Sequence, residues 1–149
     1  MNSYEVNMVT ILTDLVDNYG AIGIKTSFED EGASFNEVIR LKEICNQSNT
    51  KLTLKIGGPE AIRDIKDSTT IGVKGIVAPM VESDFGVRKF INAIEKNIDP
   101  SIITTLNLAI NVETKISIKN LTDILDINEI SKLYSITIGR VDLSSSLGL

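Results

Sequence analysis

Gly75-Ile76-Val77-Ala78-Pro79-Met80-Val81-Glu82-Ser83 is the stretch on which the fold turns. From Gly75 to Val81 it is apolar without alternation, as expected of a strand buried inside a parallel sheet, where both faces are covered. Helical patterns flank it. Upstream, Pro59 suits the first turn of a helix continued by Ala61, Ile62 and Ile65, because its missing N–H would have no intrahelical partner there. Downstream, Phe85, Phe90, Ile91 and Ile94 mark the next helix. Further out, Lys51 to Ile56 alternates polar and apolar like a strand, and Thr105 to Val112 reads as another.

The same alternation reaches both ends. Met8, Ile11, Leu12, Leu15, Val16 and Tyr19 stand at helical spacing, stopped by Gly20 where a left-handed cap is favoured. Ala21 to Ile24 is a short strand-like run, and Ser34 with Glu37 is spaced as a capping box ahead of Val38, Ile39, Leu41, Ile44 and Cys45. Ile118, Leu121, Ile124 and Leu125 form a fifth helical pattern, and Tyr134 to Gly139 a fifth strand. Strand starts near 22, 52, 76, 106 and 135 recur about every 24 to 30 residues, the length of a βαβ unit. The prediction is a parallel α/β sheet in a single domain over residues 1–149.

Composition narrows the function classes. The 149 residues are 42% hydrophobic and 23% charged, an ordinary globular balance. A net charge of -5 supplies no sequence-wide basic field for phosphates, which argues against a nucleic-acid partner. No apolar run approaches a membrane span, and the first residues lack the basic-then-apolar order of a signal peptide. The single cysteine, Cys45, cannot form an intrachain disulfide, so a reducing, cytoplasmic setting is expected. Cys45 sits on an apolar helix side and reads as packing. Histidine is absent, which removes the commonest general base and transition-metal ligand.

Two architectures share this alternation: an open doubly wound sheet, favoured by length, and a (β/α)8 barrel, which usually needs about 250 residues. The ending favours the barrel. After the last strand the chain runs Asp142-Leu-Ser-Ser-Ser-Leu-Gly-Leu149 and stops, so that strand is expected to lack the helix each earlier one received.

Three segments carry a family resemblance: Gly75-Ile-Val-Ala-Pro-Met-Val-Glu-Ser83, Ile110-Asn-Val-Glu-Thr114 followed by Asn120-Leu-Thr-Asp-Ile-Leu125, and Ile138-Gly-Arg-Val-Asp-Leu-Ser144 with Leu147-Gly148. In this order, each at the carboxyl end of an expected strand, they resemble the HpcH/HpaI aldolase and citrate lyase family. That resemblance implies a (β/α)8 TIM-type barrel of the phosphoenolpyruvate/pyruvate-binding kind, here an incomplete barrel of about five βα units truncated at its C-terminal end. It also implies two metal ligands: Glu113, after the family's fifth strand, and Asp142, in its sixth-strand Gly-x-x-Asp-Leu motif. Mg²⁺ or Mn²⁺ suits such oxygen donors, since waters and a bidentate 2-oxo acid can complete the shell. Helix-capping or loop roles are the plain alternative for both carboxylates.

Other residues are placed by the same comparison. Lys55 ends the Lys51–Ile56 strand where the family often has an arginine that binds the substrate carboxylate; lysine keeps the charge but loses the bidentate fork. Gly57 and Gly58 are candidates for amide contacts to an anion or ordinary turn glycines. Lys25-Thr-Ser-Phe-Glu-Asp-Glu-Gly32 takes the place of an acidic segment that ends in histidine in the aldolases; here Glu29 and Glu31 are the local acid/base candidates, against a solvated acidic loop. Glu82 is a candidate carboxylate behind the ligands, or a favourable charge at a helix amino terminus. Arg140 replaces a proline common in the family motif and is a candidate substrate contact.

The implied activity is a metal-dependent carbon–carbon lyase, or aldolase, acting on a pyruvate-like 2-oxo acid or related acyl substrate through a metal-stabilised enolate. Lys55 as a Schiff-base nucleophile is a variant of it. A noncatalytic α/β binding or assembly subunit, or an inactive fragment of the enzyme, is the alternative. Five strands cannot close an eight-stranded barrel, so the open edges are expected to be covered by further βα units of a longer chain or by pairing of partial barrels in a homo-oligomer.

Overall fold

The computed structural model describes residues Met1–Leu149. Five strands, β1 (Gly23–Ser27), β2 (Lys51–Lys55), β3 (Gly75–Ala78), β4 (Asn107–Val112) and β5 (Ser135–Ile138), form one sheet. All four pairings are parallel, and the strands lie side by side in chain order. That order separates the two architectures that length and periodicity left open. A doubly wound sheet reverses direction at a switch point, whereas a barrel adds each strand beside the last. The chain is therefore an incomplete TIM-type barrel, with β1 and β5 as free edges.

Several helices start or stop at caps that the sequence provides. Helix α1 (Ser3–Tyr19) ends at Gly20, whose φ of 73° is the left-handed conformation that glycine adopts without a Cβ penalty. Ser34 and Glu37 close the expected capping box on α2 (Phe35–Gln47). Next come α3 (Ile62–Ile71), α4 (Asp84–Asn97) and the short α5 (Pro100–Ile103). The expected fifth helix is two, α6 (Lys115–Lys119) and α7 (Leu121–Leu125), broken at Asn120. The amide of Asn120's side chain donates to the Glu82 carbonyl, which ties the break to the loop between β3 and α4.

Two expectations are corrected. Pro59 lies in a turn ahead of α3, which begins at Ile62, because the Ala61 and Ile62 amides donate back to Gly58 and Glu60. The last strand does receive a helix, α8 (Arg140–Leu147), with Gly148 at φ 75° as its cap. Ser146 of α8 accepts from the Lys115 amide at 2.9 Å, so this helix docks on the start of α6. Its register lacks an apolar stripe, which is why periodicity does not reveal it.

The core lies on one side of the sheet. Leu52, Leu54, Ile56, Ile76, Ala78, Leu108 and Ile110 pack with Val38, Cys45, Ile65, Val87, Phe90, Ile91 and Ile94 from α2, α3 and α4. The residues between them on each strand face the other, concave side, where a cavity of about 360 Å³ is lined by Lys25, Lys51, Thr53, Asn107, Asn111, Ser135 and Thr137 among others. No helix is long and apolar enough to cross a membrane.

Candidate functional site

The carboxyl ends of the strands carry the chemistry. Period-two alternation along β4 sends Asn111 and Glu113 to the concave side and Val112 to the core. Glu113 is only 2% exposed, yet no lysine or arginine pairs with it. Its Oε1 accepts from the Met80 amide at 2.8 Å and its Oε2 from the Asn111 side-chain amide at 3.0 Å. Two neutral donors thus hold one carboxylate in a single orientation.

Gly139 makes room for that carboxylate. A Cβ at this position would lie inside van der Waals contact with the Glu113 carboxylate and with its Cβ, at 2.7 Å from the latter. The Gly139 amide also donates to the Val112 carbonyl at 3.2 Å. The glycine that opens the Gly-x-x-Asp segment therefore rests against Glu113. Asp142 follows in the first turn of α8 and is exposed to solvent.

These oxygens suit a hard divalent cation. No group of three or more His, Cys, Asp or Glu side chains is gathered anywhere in the chain. Two carboxylates with waters and a chelating ligand make a donor set that Mg²⁺ accepts. Beside Glu113, Asn111 lines the wall of the cavity, and its Oδ1 is a buried acceptor with no partner within the chain. Sequence reading had not singled out Asn111, although its place two residues before Glu113 on one strand puts both on one face. Met80 carries no such signal: its φ of 50° is left-handed for a residue with a side chain, and only the fold shows it.

Lys55 is held differently from the expectation. It ends β2 at 4% exposure, and its Nζ lies 2.8 Å from Glu29 Oε2 and 2.9 Å from Asp30 Oδ2. Burial opposes the ammonium charge, but hydrogen bonds to Glu29 and Asp30 outweigh it, and the pKa of Lys55 is raised above the ordinary lysine value. Hydrogen bonding to Ser27 and then to Lys55 pulls the carboxyl of Asp30 down to about 2. Lys55 is thus a paired cation.

The remaining candidates divide. Glu31 closes its own loop, its Oε2 accepting from Thr26 Oγ1 at 2.8 Å and the Ser27 amide at 3.2 Å. Gly57 donates its amide to Asp64 Oδ2 at 2.8 Å, so that N–H is already committed; Gly58 is open. Glu82 accepts from Thr114 Oγ1 at 2.8 Å, and Thr114 is the N-cap of α6 directly after Glu113. Arg140 is exposed at the start of α8 beside Gly139. The structure brings Glu113, Gly139 and the Glu82–Thr114 pair together, and sets Lys55 with Glu29 and Asp30 in a second cluster.

A sequence model of the HpcH/HpaI aldolase/citrate lyase family matches residues 45–149, the greater part of the chain. A search of curated proteins finds no match. Among solved structures, the chain resembles a citrate synthase, SbnG, at 17% identity and a TM-score of 0.74, covering 97% of this chain and 60% of that one. It resembles an HpcH/HpaI aldolase from Desulfitobacterium hafniense DCB-2 at 17% identity and a TM-score of 0.76, covering 99% and 62%. A third likeness is a family protein from Burkholderia cenocepacia J2315, at 10% identity and a TM-score of 0.75, covering 97% and 63%. At such identities these likenesses establish the fold, and the chain spans about three fifths of each structure's length.

Proposed function

The chain belongs to the HpcH/HpaI aldolase/citrate lyase family, and from that premise we propose that it carries the metal-binding part of a carbon–carbon lyase site for a pyruvate-like 2-oxo acid or related acyl substrate. The observation that carries the reading is the buried Glu113 carboxylate, oriented by the Met80 amide and Asn111 and pressed against the glycine of the Gly-x-x-Asp segment. Glu113 and Asp142 would hold Mg²⁺ or Mn²⁺. Such a cation polarises a keto oxygen and stabilises the negative charge that develops there when the adjacent C–C bond breaks or forms.

The chain's own residues contribute orientation. The Met80 and Asn111 donors keep Glu113 from rotating, and Thr114 with Glu82 anchors the backbone that follows it. Lys55 supplies a positive charge at the end of β2, with β3 between it and the strand that carries Glu113. Its raised pKa keeps it protonated at neutral pH, which supports a binding role and argues against a Schiff-base nucleophile, since that chemistry needs the free amine.

Manganese titration followed by electron paramagnetic resonance tests the assignment. Saturable binding at millimolar metal is expected, with loss of about tenfold or more in affinity for Glu113→Gln and for Asp142→Asn. Binding unchanged in both variants would remove the basis for the reading. Deuterium exchange into the pyruvate methyl group, followed by NMR, reports whether this chain alone draws a proton from a 2-oxo acid.

A further inference from the structure

Lys55 and its two partners form a closed set of charges. The lysine side chain is 5% exposed, so its ammonium has little access to water, and two carboxylates already lie at contact distance. Those carboxylates are presented by a turn whose own bonds do not use the Lys55 side chain, although the Phe28 amide donates to the Lys55 carbonyl. Ser27 Oγ accepts from the amides of Glu29 and Asp30, Glu31 accepts from Thr26 Oγ1 and the Ser27 amide, and the Ala33 amide donates to the Ser27 carbonyl at 3.1 Å. The turn is tied at both ends. One ammonium against two carboxylates leaves a local excess of negative charge where the site was expected to attract an anion.

We propose that Glu29 and Asp30 are internal surrogates for a substrate carboxylate: they occupy Lys55, and an incoming acid reaches its ammonium only by displacing them. The proposal rests on the reading of Lys55 as the group that faces the substrate's negative charge. Its physical basis is an exchange of like for like. A ligand carboxylate that replaces Glu29 or Asp30 loses its own hydration and gains a pairing that the protein had already made, so the net return is small. The excess negative charge further repels a second anion. Glu29 and Asp30 thereby set specificity against small acids whose main handle is a carboxylate.

Isothermal titration of oxalate, with a chelator present to exclude metal, tests this on the whole chain. Wild type is expected to bind weakly. Glu29→Gln should bind about tenfold more tightly, and the Glu29→Gln/Asp30→Asn pair more tightly still, because each removes one competing charge. Adding Lys55→Met should abolish the gain. Oxalate should also raise the melting temperature of the double variant more than that of wild type, since it restores a missing counter-charge. Affinities no higher than wild type in Glu29→Gln and in the pair, or a gain that survives Lys55→Met, would overturn the proposal. If the double variant does not fold, Glu29→Gln decides alone, because the Glu29 side chain contacts Lys55 and leaves the Ser27 bonds intact. Manganese binding at Glu113 and Asp142 is measured separately, so loss of that reading leaves this result standing, and the reverse.

Discussion

On the helix side of the sheet, Leu52, Leu54, Ile76 and Ile110 are fully buried; on the concave side the residues interleaved with them are Lys51, Thr53, Gly75 and Asn111. The two faces share every backbone hydrogen bond, yet one is a hydrocarbon core and the other mixes ammonium, hydroxyl and amide groups with apolar side chains such as Val77 and Ala109. Barrel interiors are usually filled by branched aliphatic side chains. Here most of the apolar burial that offsets chain entropy comes from one face, and the other presents chemistry at its rim. The difference teaches that stability and function are divided by the pleat, with a side chain's parity along its strand deciding which it serves.

Substitutions on the two faces should therefore separate by size. Phe90→Ala, in the fully buried cluster behind β3 and β4, should cost about 3–5 kcal/mol in urea unfolding, and Leu54→Ala about 2–5 kcal/mol. Gly139→Ala tests the junction between the faces. The added methyl has to push Glu113 aside, for a cost of about 1–3 kcal/mol and loss of manganese binding together. Thr137→Ala on the concave face should change stability by no more than about 0.5 kcal/mol, as surface changes do. A cost for Thr137→Ala near that of Leu54→Ala would break the comparison.

The charge cluster at Lys55 sharpens it at the smallest scale, through pH. The pKa of Lys55 is raised on folding, so its contribution is full below the unfolded lysine value near 10.4 and is lost as pH rises through the higher folded value. Asp30 has its pKa lowered to about 2, so its contribution is full above the unfolded value near 3.9 and is lost as pH falls through about 2. Amide exchange of the Ser27–Gly32 turn should thus show constant protection from about pH 4 to pH 10 once corrected for the intrinsic exchange rate. Asp30→Asn should erase the acid limb and weaken the basic one, because Asp30 also helps raise the Lys55 pKa. Both carboxylates are partly exposed, so the effect is small and salt-sensitive.

Much of the architecture was legible because its causes are local. The Ser34–Glu37 box and the Gly20 cap formed as their spacing predicted, and the buried run at Gly75 became a strand whose four residues are all buried. The placing of Glu113 at the end of β4 was also legible, from alternation and the family motif together. What neither carried was the partner of each group. Gly57 reads as a free amide until Asp64, seven residues on, accepts from it, and Lys55 reads as a free cation until the turn after β1 folds over it. Helix α8 went unread because it has no amphipathic stripe, and its anchor is a serine hydroxyl on the Lys115 amide.

By itself, the sequence determined the βα repeat, the family motifs and the face on which each strand residue stands, since these depend on spacing and on caps within a few residues. Only the tertiary structure decided that the strands lie in chain order as in a barrel, that Glu113 is held by Met80 and Asn111, and that Lys55 is already paired. Each of those depends on groups from separate strands and loops meeting at the carboxyl rim, and such meetings are set by the order and register in which the strands pair.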